Sequence, residues 1–293
     1  MTSSIVGIDL SAINADTEII THLYNGRAVI TFKPEYHAYT IAAGGRDYRH
    51  PSVTGVLSVL SKGEGLLSWS AGVACDRVLQ IAGSTTLTPE GLKAIVDLAR
   101  TSWRQAREDA ATVGTYVHRA LGAVLEGNPV SYPDPKQAWM LPLIHNAVDA
   151  GLRFFEQHSI RVRHVEQPRW SAKHGFLGTG DLIGIIDNEL AVLDFKTGRA
   201  ADYVEFFAQT AGYQIAFEEE FPSEVVKARW VVRVGKDGVL AHSRRDARHH
   251  EKDKQAFLDC LSLFRWKQLT DRWVRDVYDG PLTTEQLKCL KGV

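Results

Sequence analysis

The chain has 293 residues, 34 Lys and Arg against 35 Asp and Glu, a formal net charge of −1 and 44% hydrophobic residues. This is the composition of a globular protein with a large core, not of a chain that coats nucleic acid through bulk positive charge. Its three cysteines, Cys75, Cys260 and Cys289, are odd in number and far apart, which excludes a disulfide framework, a four-cysteine zinc site and a four-cysteine iron–sulfur cluster.

No apolar run reaches the ~18 residues of a transmembrane helix, and the N-terminus lacks the basic and apolar regions of a signal peptide. The expectation is a cytoplasmic protein of a bacterial cell or phage-infected host, with no membrane partner.

In chain order, short strands are predicted over 27–32 and 37–41, with Lys33-Pro34-Glu35 as the turn between them. Ser52-Val53-Thr54 precedes apolar residues at helical spacing, with Ser or Thr as the cap. Helices follow over 65–82 and 89–97. The clearest helix spans about 99–126, where Ala106, Ala110, Val113, Val117, Leu121 and Val124 form a buried stripe. Another runs from about 136 to 157, with Asp134 as cap and Pro135 at its first position.

Beyond residue 160 the pattern turns to strands at 161–170, 178–186, 190–195 and 225–234. A helix over 203–220 is opened by Asp202 with Glu205 as a capping box, a long helix covers 250–275, and a short one closes the chain. These elements predict an α/β fold with a mixed central sheet, helices on both of its faces, and an N-terminal β/helical elaboration over 1–97 packed on a core over 98–293.

The segment that carries chemistry runs from Gly178 to Gly198. Asp187-Asn188 suits a two-residue hairpin turn, because both residue types tolerate positive φ. Ile186 then faces Glu189, so Asp181 faces Asp194 across the ladder and Thr179 faces Lys196. Strand alternation places Asp194 and Lys196 on one face and Phe195 on the other. Both faces of this hairpin are otherwise apolar, which makes it central.

Two carboxylates so placed are mutually destabilising unless positive charge intervenes. Lys196 supplies one charge, and a divalent cation with a preference for oxygen ligands, Mg²⁺ or Mn²⁺, would supply the rest. The chemistry indicated is metal-assisted hydrolysis. Asp134-Pro135-Lys136 spells the same Asp-x-Lys pattern, but its flanking prolines forbid a central strand. Gly178-Thr-Gly180 opens a strand rather than a helix, so it is no phosphate-binding loop.

The elements Gly114-Thr-Tyr-Val-His118, Gly180-Asp181, Leu193-Asp194-Phe-Lys196-Thr-Gly198 and Gln209-Thr-Ala-Gly-Tyr213 occur in this order. In them the chain resembles the PD-(D/E)xK nuclease superfamily, in its RecB-like exonuclease branch, over roughly residues 110–235. His37-x-Tyr39 and Pro51-Ser-Val-Thr54 resemble the entry segment of exonucleases of that branch. The first acid follows Gly180 instead of the common proline, and the four-cysteine cluster of some relatives is missing.

The resemblance implies a restriction-endonuclease-like fold. It also implies that Asp181 and Asp194 bind one or two Mg²⁺ or Mn²⁺ ions, with the Phe195 carbonyl and His118 as further ligands. Lys196 would be the catalytic lysine, and Gln209 and Tyr213, on one helix face, would place the substrate strand and the lysine. Taken alone, a helical histidine reads as structural, and the Gln/Tyr pair as core. Gly114 and Gly122 one turn either side of His118 leave its ring room for close approach. Glu166 is either a third acid near the metal or a paired strand residue.

The partner expected is DNA, linear ends of single or double strands, with a single-strand-binding or annealing protein as a further candidate. Arg100, Trp103, Arg104 and Arg107 share a helix face, and Arg229, Trp230 and Arg233 lie in a basic stretch. Residues 227–254 hold nine Lys or Arg against four acids. Arg265, Trp266, Lys267, Arg272 and Trp273 repeat the mixture. Taken alone, each patch reads as a solvated surface; together with a nuclease site they suggest a groove. The function expected is a metal-dependent DNA exonuclease in phage-type replication, recombination or repair. The alternatives are a structure-specific endonuclease of the same fold and a catalytically silent DNA-binding module.

Overall fold

The computed structural model describes residues 18–33, 38–60, 63–83, 88–128, 135–270 and 278–292. The predicted 33–35 turn, His37, Asp134, Arg272 and Trp273 fall wholly or partly outside them. Leu60–Tyr116 forms one compact unit, and the described residues up to Val59 and from Val117 onward form the other. This division differs from the expected break at residue 97, because the N-terminal strands belong with the large sheet's unit.

The helical unit contains α2 (Gly63–Ala82) and the start of α3 (Pro89–Leu125), a single 37-residue helix where two were expected. Nothing between 97 and 99 breaks it: the residues there are Asp, Leu and Ala, and neither Gly nor Pro intervenes.

The larger unit is built on a mixed five-stranded sheet. Its strands are β5 (Ile160–Ser171), β6 (Phe176–Ile186), β7 (Glu189–Lys196), β8 (Ala228–Val234) and β9 (Leu240–Asp246), side by side in that order. All neighbours are antiparallel except β7 and β8, which are parallel and joined through α5 (Val204–Glu220). The β6–β7 turn is the one expected: Asp187 and Asn188 sit at φ 49° and 69°, and Ile186 pairs with Glu189.

Helices cover both faces. On β8, Trp230 meets Phe154 of α4 (Leu141–Gln157), whereas its neighbour Val231 clusters with Phe207 of α5. Successive strand residues point to opposite sides, so α4 and α5 lie on opposite faces. α5 is buried almost continuously from Phe207 to Gln214, with the sheet on one side and α6 (Ala247–Thr270) on another. Its start departs from expectation: Tyr203 is the N-cap and no side-chain cap is made, so Asp202 and Glu205 form no capping box. α4 likewise begins with Pro142 in its first turn, after a 3₁₀ segment over Pro135–Met140.

A four-stranded meander, β1 (Ile19–Leu23), β2 (Ala28–Lys33), β3 (Ala38–Ala43) and β4 (Arg46–Tyr48), packs its inner face against Trp170, Ala172 and Leu177 of the β5–β6 hairpin and Leu282 and Leu290 near the C-terminus. The sequence pattern had shown only β2 and β3. Between the two sheets α1 (Val53–Val56) is capped by Ser52, whose side chain accepts the Gly55 N–H at 3.0 Å. A last helix, α7 (Thr284–Lys291), has a full capping box from Thr283 and Gln286. No described helix is long and apolar enough to cross a membrane.

Candidate functional site

The β6–β7 ladder is regular from the turn to Leu182↔Leu193 and then stops. Asp181 and Asp194 are therefore not the ladder pair that the turn register predicts, and Thr179 pairs with Pro168 of β5 instead of facing Lys196. The cause lies in the Asp181 side chain. Its Oδ2 accepts the backbone N–H of Phe195 at 2.6 Å, the donor a further rung would have engaged. The two acids still converge at one end of the hairpin, both buried, at 9% and 2% exposure.

His118, near the end of α3, is brought to Asp181, with Nδ1 2.9 Å from Oδ1. Its ring also meets Phe195 edge-on, on the face of β7 opposite Asp194. Burial disfavours the imidazolium, but the Asp181 carboxylate outweighs it and holds the histidine up at about 9. Asp181 is itself held below the usual carboxylate range: burial opposes this, but His118, Lys196 and the Phe195 N–H together prevail.

Glu166 completes the group. It lies between the pairs Val165↔Leu182 and Gln167↔Gly180, hence opposite Asp181, and its backbone sits at φ 44°. A non-glycine residue there stores about 1–3 kcal/mol of strain, a cost that clusters at functional sites. Gly122, one turn beyond His118, makes room for it: a Cβ would stand 3.3 Å from Val165 Cγ1 and 3.7 Å from Glu166 Oε1. One ligand atom each from His118, Glu166 and Asp181 lie within 4.8 Å of one another. Burial and the neighbouring Asp181 push the Glu166 carboxyl up.

On the α5 face, Lys196 Nζ lies 2.5 Å from Asp194 Oδ2 and 4.9 Å above the Phe206 ring. Gln209 Nε2 donates to Asp194 Oδ1 at 3.1 Å and to Tyr213 Oη at 2.7 Å. The Tyr213 ring is seated against β6 because Gly178 and Gly180 have no side chains. A Cβ on Gly178 would fall 2.7 Å from Tyr213 Cε1, and one on Gly180 3.3 Å from Cδ2. Tyr39 of β3 reaches the same strand, its hydroxyl 3.0 Å from Thr179 Oγ1. Asp181, Asp194, Lys196, Gln209, Tyr213, His118 and Glu166 thus meet in one place.

The donor set fits a divalent cation. Burial raises the Asp194 carboxyl, and Lys196 offsets this only in part. Its Oδ2 is fully buried and, among the described residues, is met by the Lys196 ammonium alone. His118, Glu166 and Asp181 are the described residues whose ligand atoms lie close enough together to hold a metal ion.

The basic stretch of β8 is a correction. Arg229, Trp230 and Arg233 are 1%, 6% and 8% exposed and do not line a surface groove. Arg229 donates to the Phe207 carbonyl at 2.7 Å and pairs with Asp253 at 2.5 Å. Arg233 binds the Gly198 and Val239 carbonyls and Asp237. Trp230 packs among Phe154, His158 and His242. β8 is an inner strand, and basic residues in it serve as internal donors. Much of the excess charge over 227–254 is also neutralised, since Arg244 pairs with Glu189, Arg248 with Asp246 and Lys254 with Glu218.

Arg265 donates to the His174 and Gly175 carbonyls, while Trp266 is exposed. In the helical unit, Arg104 and Arg107 flank the Trp103 ring at 5.6 Å each, and Arg100 is exposed near Asp97.

The sequence placed Thr179 opposite Lys196 but did not point to Phe206 as a neighbour of the site. Phe206 was legible in principle, since it precedes Gln209 by three residues and so shares its helix face. No family model matches the chain, and no curated protein matches it.

Proposed function

We propose that this chain is a metal-dependent nuclease of the PD-(D/E)xK kind, with a restriction-endonuclease-like core, that hydrolyses phosphodiester bonds of DNA from free ends. The observation that carries the reading is the convergence of Asp181, Asp194 and Lys196 at the end of one hairpin, with His118 and Glu166 beside Asp181. A mixed sheet with helices on both faces is compatible with that core.

Asp181, Asp194, the Phe195 carbonyl and His118 would hold Mg²⁺ or Mn²⁺, with Glu166 as a further carboxylate. When bound, the ion supplies Lewis acidity toward the phosphodiester and a water of lowered pKa. The chain's own residues do the positioning. The Phe195 N–H fixes the Asp181 carboxylate, and Gln209, braced by Tyr213, fixes that of Asp194. Lys196, held over Phe206, presents a positive charge to the phosphorane-like transition state and to the attacking water. Trp103 with its two flanking arginines offers a surface for backbone phosphates and bases.

Digestion of end-labelled linear DNA, single- and double-stranded, beside covalently closed circles tests this reading. The assays include Mg²⁺, a chelator and Lys196→Ala. Loss of linear DNA alone, abolished by chelator and by the substitution, is the expected result. Cutting of circles moves the reading to an endonuclease. Intact substrates that are nonetheless bound leave a DNA-binding module in its place.

A further inference from the structure

Lys196 is the last residue of β7, and its strand pairing comes from one side. The β6–β7 ladder ends earlier, at Leu182↔Leu193, and the Phe195 N–H goes to the Asp181 side chain. On the other flank β7 stays paired with β8 to its end, through Asp194↔Val231, Phe195↔Val232 and Lys196↔Arg233. Beyond the lysine, residues 197–203 form neither helix nor strand. A strand end so placed opens locally unless further contacts hold it.

The side chain of Arg233, the ladder partner of Lys196, supplies such contacts. It is buried, and its guanidinium reaches three places: Nε donates to the Gly198 carbonyl at 2.8 Å, Nη1 to the Val239 carbonyl at 3.1 Å and Nη2 to Asp237 Oδ2 at 2.8 Å. Gly198 lies two residues past the lysine. Asp237 and Val239 belong to the β8–β9 turn, which is closed by its own bonds from the Gly235 N–H to the Val239 carbonyl at 3.0 Å and from the Gly238 N–H to the Gly235 carbonyl at 2.8 Å. The guanidinium therefore clips the chain just beyond Lys196 to a braced turn. Asp237 also balances its charge, so two cations stand side by side in the ladder while Asp194 is left to the lysine. A planar fork of donors can serve two carbonyls and a carboxylate at once, which the point charge of an ammonium does not.

We propose that Arg233 is the positioning residue of Lys196: by fixing Gly198 it sets where the end of β7, and the ammonium it carries, stands beside Asp194. This rests on the nuclease reading and extends it to a residue that acts through the lysine. A group that stabilises a transition state must be well placed, and a shift of about 1 Å can cost about 100-fold in rate. Loss of the clip should therefore lower kcat and spare KM.

The test uses the full chain with Arg233→Gln and Asp237→Ala, the second removing the half-exposed carboxylate arm of the clip. Thermal melts first set a temperature at which each variant is folded. Linear DNA is then digested in Mg²⁺, and hydrogen exchange read by mass spectrometry compares the peptide over 194–203 with that over α7. Arg233→Gln should lose about 10–100-fold in kcat with KM within about twofold of wild type. Its exchange should quicken over 194–203 and stay unchanged in α7. Asp237→Ala should move both readouts the same way by less.

A folded Arg233→Gln with wild-type kcat, or one whose exchange quickens equally in both peptides, overturns the proposal, because an arginine that only stabilises the fold would behave so. Should Arg233→Gln fail to fold, Asp237→Ala decides by the same two readouts. If wild type leaves all DNA intact the nuclease reading falls, and exchange still decides the clip. Quickening confined to 194–203 upholds it; exchange unchanged, or raised equally in α7, overturns it.

Discussion

The backbone N–H of Phe195 donates to Oδ2 of Asp181 at 2.6 Å, so the last rung of the β6–β7 ladder is made by a side chain. One carboxylate thereby ends the pairing of two central strands and turns its other oxygen toward His118. Structure and chemistry share one group, and substitutions at Asp181 should separate the two. Asp181→Asn retains an oxygen for Phe195 and should fold with stability close to wild type. Asp181→Ala leaves a buried N–H unpaired and should cost about 1–3 kcal/mol. A divalent ion at 100 times its Kd stabilises a fold by about 2.7 kcal/mol. Mn²⁺ should therefore raise the melting temperature of wild type by several degrees and a chelator should reverse it, while neither variant responds. An unchanged metal response in Asp181→Asn would remove Asp181 from the ligand set.

Tyr213 sits where it does because β6 has no side chains at two positions beneath it. Gly178→Ala puts a Cβ 2.7 Å from both Tyr213 Cε1 and Val53 Cγ2. Overpacking of this kind costs about 1–3 kcal/mol, and it should push Tyr213 off Gln209 and so loosen Asp194. Gly180→Ala meets the ring only at 3.3 Å and should be milder. Calorimetry with single-turnover kinetics on both variants checks the order: stability and rate fall in Gly178→Ala first. Equal effects in the two would mean that the ring, rather than the strand, yields.

The contrast between buried and exposed arginines gives a second pair of outcomes. Arg229 has no solvent-accessible side-chain surface and holds Asp253. Arg229→Ala leaves that acid without its partner and should cost about 3 kcal/mol, as breaking buried pairs does, with DNA affinity at permissive temperature unchanged. Arg104→Ala with Arg107→Ala should leave the unfolding free energy within about 0.5 kcal/mol of wild type, as surface changes do, and weaken DNA binding with a shallower salt dependence. Denaturation curves and salt-titrated anisotropy distinguish them. Weakened binding in well-folded Arg229→Ala would return β8 to the nucleic-acid surface.

The hairpin was legible because its information is local. Asp187-Asn188 dictates a turn with positive φ, apolar alternation dictates the strands, and the two set the register from Ile186 to Leu182. What the register could not show was its own end, since a side-chain carboxylate competing for the Phe195 N–H leaves no mark in hydrophobic periodicity. The same blindness misplaced Arg229 and Arg233. In sequence they read as charge, whereas in an inner strand a guanidinium with five donors can serve carbonyls and acids that nothing nearby in the chain announces. β1, β4 and β9 were missed because they are short or edge strands whose burial patterns are weak.

His50 offers a test of stability against pH away from the acids. Its Nδ1 accepts the Trp170 Nε1–H at 2.7 Å, so its Nε2 carries the proton shared with the Gly280 carbonyl at 3.0 Å. A second proton would have to enter at Nδ1, against the indole N–H. Burial lowers its pKa below 6.5, only partly countered by Gly280 and Asp279. Above the unfolded value both states are neutral and the full stability is present. As pH falls through 6.5 the unfolded chain takes up a proton that the folded chain refuses, so stability is lost. His174, His242 and His250 are lowered by burial as well and act with the same sign. His118, held up at about 9, acts with the opposite sign over the same window, so the contribution of His50 is read from the difference between wild type and a His50 variant between pH 7.5 and 5.5. His50→Phe should melt lower than wild type at pH 7.5, because Trp170 loses its acceptor, yet the gap should narrow on acidification. A pH slope in His50→Phe equal to that of wild type would show that His50 is protonated in the fold.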